Sequence, residues 1–558
     1  MAPFFAALCV ASTFEITAHL RSRANIAELQ TLYDSVADPH ALQYQQFLTR
    51  SALAQLVGAT DERVDAASAW LRDLNGQDVR VSALHDRVSA TFSDTDTGTE
   101  VWSARGLPLS RPDGVTIVTR RGPGGADAPP QRQRTASNVP AHPQSTYSIS
   151  AQKKAYGIPV DLAATNEQTL QMVWGPGTFG YSPEALAAFR AAECPGLNLD
   201  RIQFDTKNHG TPGGDNFMEG SLDVRMIASF GMNASTLVSN TNASTSTEEG
   251  DGFGLAFLDF VTELASRPTV PHVLSLSLGS LSAASCTLLC QKAAQSGRVS
   301  LAECEDYLQT QRQVCMFLST EQSAKIDRAL MALGLRGVTI FGSSGDGGSH
   351  WSFGKFPGWG KVPRELNKIG CEFQFPIYPS PSPYVVSVGG TDWEGGDPRR
   401  PTMWSGSGGG FSWQFAQPAY QQAAVRHYLS STQGLPPPES FNASGRAYPD
   451  ISAVAVEGTS MSSPTFAGIF TLITDARLNA GLKPLGPLGP RLWHVAQAFP
   501  GEAFEDITTG DSKTSCSNGF PAAKGWDPTT GFGRPVWAGL VKHFAADDSL
   551  PRAPRQPR

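Results

Sequence analysis

The sequence predicts an α/β protein, a mainly parallel β-sheet flanked by helices, preceded by a smaller α+β unit. Three observations carry this expectation. Short apolar-rich runs over residues 273–278, 338–341 and 385–388, which read as buried strands, alternate with helix-patterned stretches through the long C-terminal region. Residues 14–120 hold a separate, shorter mixture of strand-like and helical stretches. Between the two, from Arg120 to about Ser145, Gly, Pro, Ala, Gln and Arg dominate; such a segment buries too little apolar surface to offset the ordering of its backbone.

Taken in order, residues 1–12 contain a short apolar run over 4–10, then the small residues Ala11 and Ser12. With no basic residue ahead of the run, this reads at most as an abbreviated signal peptide. Residues 13–120 form the α+β unit: 14–20 is strand-like, and Ile26, Leu29, Tyr33 and Val36 mark one helix face. A further helix is expected over 62–74, and short strands over 79–84 and 115–118. No cluster of nucleophile, base or metal ligands occurs there, which assigns the unit a supporting role. Residues 121–146, with Gly122-Pro123-Gly124-Gly125, Pro129-Pro130 and several arginines, form an exposed linker suited to proteolytic processing. The main body spans 147–546, and 547–558, with Pro551, Pro554 and Pro557, reads as a disordered tail.

Composition narrows the function classes. A net charge of -7 argues against a nucleic-acid or anionic-membrane surface. No apolar run approaches the roughly 18 residues that span a bilayer. Asn-x-Ser sequons at Asn233, Asn242 and Asn442 are compatible with glycosylation in a secretory route. Cys286, Cys290, Cys304 and Cys315 cluster in an insertion over 280–319, which suggests local disulfides formed in an oxidising compartment. A zinc site is the competing reading and ranks lower, because paired C-x-x-C knuckles are missing.

The stretch Gly458-Thr459-Ser460-Met461-Ser462-Ser463-Pro464 precedes an apolar segment with helical spacing at Phe466, Ile469, Phe470 and Ile473. Ser460 is therefore expected at a helix N-terminus, where unpaired N–H groups and the helix dipole can stabilise an oxyanion. A serine there can also be a plain N-cap. A nucleophilic serine needs a base and a group to orient it. His209, in His209-Gly210-Thr211, is superficially like the histidine of subtilisins. The upstream aspartate they require is wanting, since Asp96-Thr97-Gly98 lies in the N-terminal unit, so His209 reads as a loop residue. Glu219 and Asp223, spaced i, i+4 within Glu219-Gly220-Ser221-Leu222-Asp223-Val224, fall on one face of a helix with few other charges. Carboxylates held so close share a proton, which suits a base and its orienter at acid pH.

With Asp346 of Gly342-Ser343-Ser344-Gly345-Asp346-Gly347-Gly348 added, the chain resembles the sedolisin family of serine-carboxyl peptidases, and within it the lysosomal tripeptidyl-peptidase branch. The matching motifs include Asp38-Pro39 and Phe47-Leu48-Thr49 in the N-terminal unit. In the body they are the Glu219 helix, Ser344-Gly345-Asp346-Gly347, Ser407-Gly408-Gly409-Gly410-Phe411-Ser412, and the run Phe441-Asn442-Ala443-Ser444-Gly445-Arg446-Ala447-Tyr448-Pro449-Asp450. The resemblance implies a subtilisin-like catalytic domain behind a ferredoxin-like prodomain that inhibits it in cis. It implies that Ser460 attacks peptides and unfolded proteins, Glu219 is the base, Asp223 orients Glu219, and protonated Asp346 donates to the oxyanion. It further implies one structural Ca²⁺ held by Asp506, Ile507, Ala523, Gly525 and Asp527, oxygen ligands of the kind Ca²⁺ takes. Ala523 stands where the family usually has glycine. The resemblance also implies a lysosomal, vacuolar or extracellular location reached through the secretory pathway. Cysteine pairing departs from that branch: no cysteine follows Asp346 at the family's usual short distance, so Cys371 with Cys516 is the alternative pairing expected, with Cys194 free.

The chain departs from the family before the nucleophile. Only nine residues, Ile451 to Thr459, separate Asp450 from Ser460, where relatives have a longer stretch, and Glu457 replaces a serine. An inactive relative or an incomplete gene product is therefore the competing reading, and a subtilisin-like endopeptidase a weaker third.

Overall fold

The computed structural model describes residues 13–93, 111–121, 144–205, 209–214, 216–241, 245–246, 252–310, 315, 320–350, 356, 358–514, 516 and 518–546. The proposed leader, most of the linker, the sequon at Asn242 and the tail lie outside them.

The N-terminal unit comprises β1 (Thr13–Leu20), α1 (Ile26–Ala37), α2 (Arg50–Val57), α3 (Asp61–Asp73), β2 (Gln77–Val81), β3 (Arg87–Ser93) and β4 (Val115–Arg121). The strand order β2-β3-β1-β4, antiparallel throughout, is that of a ferredoxin-like sheet. Strict alternation in β3 sends Val88, Ala90 and Phe92 inward, where they meet Phe14, Ile16 and Leu71. Asn25 and Glu28 close a capping box at the start of α1. Leu29, Tyr33 and Val36 are buried as expected, but Ile26 is 38% exposed, because the first turn of α1 extends beyond the surface it packs on. The expected strand over 79–84 is the edge strand β2, and Leu84 is buried from a turn instead.

That surface belongs to the body. Leu29, Tyr33 and Val36 share a core with Leu330, Leu333 and Tyr384, the first two on the helix Thr320–Leu335. Arg87 donates to Thr262 Oγ1 at 3.0 Å and to the Thr262 carbonyl at 3.1 Å. Lys325 reaches the carbonyls of Leu20 and Asp86, and burial pulls its ammonium down to about 7. β4 also pairs with the body's short strand Thr245–Ser246.

The body is built on an eight-stranded sheet: β5 (Leu170–Pro176), β6 (Ile202–Phe204), β7 (Ser235–Thr241), β8 (Val273–Leu276), β9 (Thr339–Ser343), β10 (Val386–Trp393), β11 (Pro401–Met403) and β12 (Ile451–Val454). The order is β11-β10-β9-β8-β5-β7-β6, with β12 also paired to β10, and every pairing except β10 with β11 is parallel. Helices α4 (Phe217–Phe230) and α5 (Thr459–Asn479) pack against each other and on this sheet. Their contact depends on Gly468, where a Cβ would stand 2.7 Å from the Ile227 carbonyl oxygen.

The insertion contains the helices Ala283–Gln295 and Leu301–Thr310. Disulfides Cys286–Cys315 and Cys290–Cys304 pin it, which displaces the zinc reading. Cys371 is bonded to Cys516, and Cys194 is a buried free thiol. Among the described residues no helix is long and apolar enough to cross a membrane.

Candidate active site

Four strand ends and one helix N-terminus converge on Ser460. In the nine-residue approach β12 pairs in parallel with β10 in the register Val388↔Ile451 to Thr391↔Val454. A tight turn follows, in which the Gly458 N–H donates to the Ala455 carbonyl at 2.8 Å. Gly458 then adopts φ 103° as the N-cap of α5, a conformation open to glycine and strained for other residues. Ser460 is the second residue of the helix, 2% exposed. The expected apolar face, Phe466, Ile469, Phe470 and Ile473, is fully in the core.

Gly458 offers no capping side chain, so the first amide of α5 is satisfied from elsewhere. Asp346, three residues past the end of β9, accepts from the Thr459 N–H and from Thr459 Oγ1, each at 2.7 Å and each on Oδ1. The Gly345 N–H in turn donates to Thr459 Oγ1 at 3.1 Å. A carboxylate thus docks at the positive end of the helix that presents Ser460. The glycine run after Ser407 lets the chain close over this loop: the Gly408 N–H donates to the Gly345 carbonyl at 2.8 Å, and a Cβ on Gly408 would stand 2.3 Å from the Ser344 carbonyl oxygen.

Helix α4 carries Glu219 and Asp223. Its N-cap Asn216 donates through Nδ2 to the Pro176 carbonyl at 3.0 Å, which ties the helix to the end of β5. A Cβ on Gly220 would stand 2.4 Å from the Gly180 carbonyl oxygen, so this glycine lets the first turn of α4 lie on the backbone beside Glu219. Glu219 is half-buried, whereas Asp223, one turn later, is fully buried. Asp223 Oδ1 accepts from Ser277 Oγ at 2.8 Å. Ser277 follows the last residue of β8, and its carbonyl accepts from Ser460 Oγ at 3.4 Å. The structure therefore joins Asp223 to Ser460 through Ser277, and Asp346 to the start of the same helix through Thr459. Neither linker was singled out in the sequence. The signal available for Ser277 was a polar residue at the end of a buried parallel strand, where polar groups of such sheets gather. His209 is exposed and stacks on Phe204 with centroids 4.5 Å apart.

A second polar cluster lies near the C-terminus. Asp527 is fully buried; its Oδ1 accepts from the Thr529 and Thr530 amides at 3.0 and 2.8 Å, and its Oδ2 from the Ala523 amide at 2.9 Å. Asp506 Oδ2 accepts from the Gly525 N–H at 2.8 Å, so one turn gathers both carboxylates. Burial pushes the Asp527 carboxyl up to about 7 and raises Asp506 as well. Asp506 Oδ1 is buried with no hydrogen-bond partner, an oxygen that suits a hard cation. No group of three or more His, Cys, Asp or Glu able to hold a metal occurs among the described residues, so further ligands would be backbone oxygens. Ile507 is fully buried within this cluster's approach.

Comparison with known proteins finds the following similarities. Residues 12–95 match the family model described as pro-kumamolisin, activation domain. Tripeptidyl-peptidase 1 of Canis lupus familiaris is 34% identical over 350 residues, 58% of this chain and 51% of that protein. The Homo sapiens protein of the same name is 34% identical over 355 residues with the same coverage. The chain is thus similar to a pro-kumamolisin activation domain over residues 12–95 and to tripeptidyl-peptidase 1 over 58% of its length. It spans about half the length of the curated relatives it matches. A solved Pseudomonas sedolisin, described as a serine-carboxyl proteinase, superposes over 72% of this chain and 98% of its own with TM-score 0.49 and 21% identity. The match to the activation-domain model falls on the N-terminal unit, residues 12–95.

Proposed function

We propose that this sedolisin relative is an acid serine-type peptidase made as a zymogen, and that it releases tripeptides from free N-termini. Residues 13–120 are the propeptide, 121–146 the linker with its processing site, and 147–546 the peptidase. The observation that carries the reading is the junction of Ser460 with Asp223 at Ser277 and with Asp346 at Thr459. Ser460 Oγ attacks the scissile carbonyl, Glu219 takes its proton, and Asp223 orients Glu219. Asp346, held at the start of α5 by Thr459, donates to the developing oxyanion in its protonated form. A carboxylic acid donates only while protonated, so activity falls as pH rises toward neutrality.

The unbroken strand and turn between Asp450 and Ser460 favour an active enzyme over an inactive relative, because the short segment still delivers the nucleophile to a capped helix end. Asp506 and Asp527, with carbonyl oxygens of Ile507, Ala523 and Gly525, would hold one Ca²⁺. When bound, that ion supplies charge neutralisation and a structural tie, and takes no part in the hydrolysis. Three disulfides fit a secretory-pathway protein in a lysosome, vacuole or extracellular space.

The test is incubation of the processed protein at about pH 4, near the carboxyl range, with one peptide carrying a free N-terminus and its acetylated twin. Stepwise tripeptides from the free peptide alone are expected. Internal cleavage of both peptides would make it an endopeptidase, and no cleavage above that of Ser460→Ala would make it an inactive relative.

A further inference from the structure

Ser277 lies just beyond the last paired residue of β8, which is held in register by Gly342↔Leu276. It is 6% exposed, and it meets the proposed machinery with both its side chain and its backbone. Its hydroxyl stands 2.8 Å from Asp223 Oδ1 and 3.5 Å from the Ser460 carbonyl oxygen. Its own carbonyl accepts from Ser343 Oγ at 2.8 Å and from Ser460 Oγ at 3.4 Å.

The sequence explains why these contacts coexist. In a regular helix the Ser460 carbonyl would accept from the amide four residues on, but that residue is Pro464, inside α5, which has no N–H. The carbonyl is thereby left facing the Ser277 hydroxyl. A hydroxyl has one proton to give. The shorter contact, to a carboxylate oxygen, takes it, since such bonds are shorter and stronger than those to a neutral carbonyl. Ser343 extends the β8–β9 pairing by one side-chain bond and keeps the Ser277 peptide from rotating.

We infer that Ser277 is a positioning residue of the peptidase reaction, fixing Asp223 through its hydroxyl and parking the resting Ser460 hydroxyl at its carbonyl. This rests on the roles proposed above for Ser460, Glu219 and Asp223. Asp223 is fully buried, so the loss of a donor is not made good by bulk water, and the carboxyl turns away from the geometry in which it orients Glu219. The parked Ser460 bond, at 3.4 Å, is long enough to release at little cost when a substrate enters.

The experiment is a double-mutant cycle on the full-length protein after processing, with Ser277→Ala, Asp223→Asn and the double variant assayed at about pH 4 on a free-amine peptide. The expected result is a fall in kcat of roughly 10- to 100-fold for Ser277→Ala with KM changed less than about twofold, the scale on which small misplacements act. In the Asp223→Asn background the same substitution costs less than about twofold, because the charge it serves is gone. An unchanged kcat, or an equal fall in both backgrounds, overturns the inference. If Ser277→Ala loses its cooperative melting transition, Ser277→Cys takes its place: same shape, weaker donor, with the same two outcomes read. Ser460→Ala and Glu219→Gln run alongside. Full activity in either refutes the underlying reading, whereas their inactivity beside a fully active Ser277→Ala refutes the Ser277 role alone.

Discussion

The two carboxylate clusters of the body are assembled by opposite means. Around Ser460 the bonded partners come from far along the chain: 113 residues separate Asp346 from Thr459, 54 separate Asp223 from Ser277, and 183 separate Ser277 from Ser460. Around Asp527 the amide donors lie two, three and four residues away, and Asp506 reaches a residue 19 positions on. The first cluster exists only when the whole parallel sheet is in register, and the second is close to a self-contained turn. The difference predicts a division of labour. Changes at the first should strike chemistry with little effect on melting, and changes at the second should strike melting with little direct effect on chemistry.

The largest expected effect is at Ser460, the proposed nucleophile. Ser460→Ala should lower kcat by on the order of 10⁴-fold or more, as loss of a nucleophile does when the groups around it act as a unit. It deletes one small hydroxyl whose bond to the Ser277 carbonyl is 3.4 Å long, so the melting temperature should move by less than about 2 °C. Kinetics and calorimetry on the same preparation check both halves. A shift of many degrees would show that the Ser460 cluster also carries stability and would break the comparison.

Next comes Asp346. Replacing it with alanine removes the proposed oxyanion donor and the cap of α5 together, and should cost about 10²- to 10³-fold in kcat along with roughly 1 kcal/mol of stability from the cap. Asp346→Asn separates the two effects. Its amide oxygen can still accept from Thr459, and its N–H₂ donates at any pH, so the variant should stay folded and keep relatively more of its activity at pH 6 than the parent does. A pH–rate profile with the same high-pH fall in both proteins would remove Asp346 from the oxyanion role.

How much of this was legible in the sequence follows from the same contrast. The N-terminal strand and helices, the parallel body, the disulfide-pinned insertion and the seven-residue serine turn all write themselves in local patterns of apolar, glycine and cysteine residues. Asp506 and the Gly525-Trp526-Asp527 run came only through the family resemblance. Ser277 and Thr459 came through neither, because their significance comes from meeting side chains 54 and 113 residues away. Helix α2 and strand β3 escaped as well, the first because an eight-residue helix gives too short a period to stand out, the second because Val88, Ala90 and Phe92 alternate with serine and threonine between two turns. The short approach to Ser460 contains β12, whose pairing with β10 is a relation no local pattern could reveal.

The smallest expected effect, and the sharpest test of the local cluster, is the pH dependence of melting at Asp527. Burial raises its carboxyl in the folded protein from the ordinary 3.8 to about 7. A raised folded value means that the folded state holds the proton more tightly than the unfolded chain. The favourable contribution of this group is therefore complete below the unfolded value and is lost as pH rises through about 7. Without Ca²⁺, melting should thus worsen between pH 4 and 7 by an amount traceable to this residue. Added Ca²⁺ favours the ionised carboxylate and should offset that loss, raising the melting temperature by about 2–5 °C near neutrality and by less at pH 4. Asp527→Asn has no such proton. It should flatten the pH dependence and weaken the Ca²⁺ response, and it should lower the melting temperature at every pH, because an amide nitrogen at the Oδ2 position faces the Ala523 N–H, a donor set against a donor. A Ca²⁺ response as large in the variant as in the parent would place the ion elsewhere and leave this turn as a purely hydrogen-bonded structure.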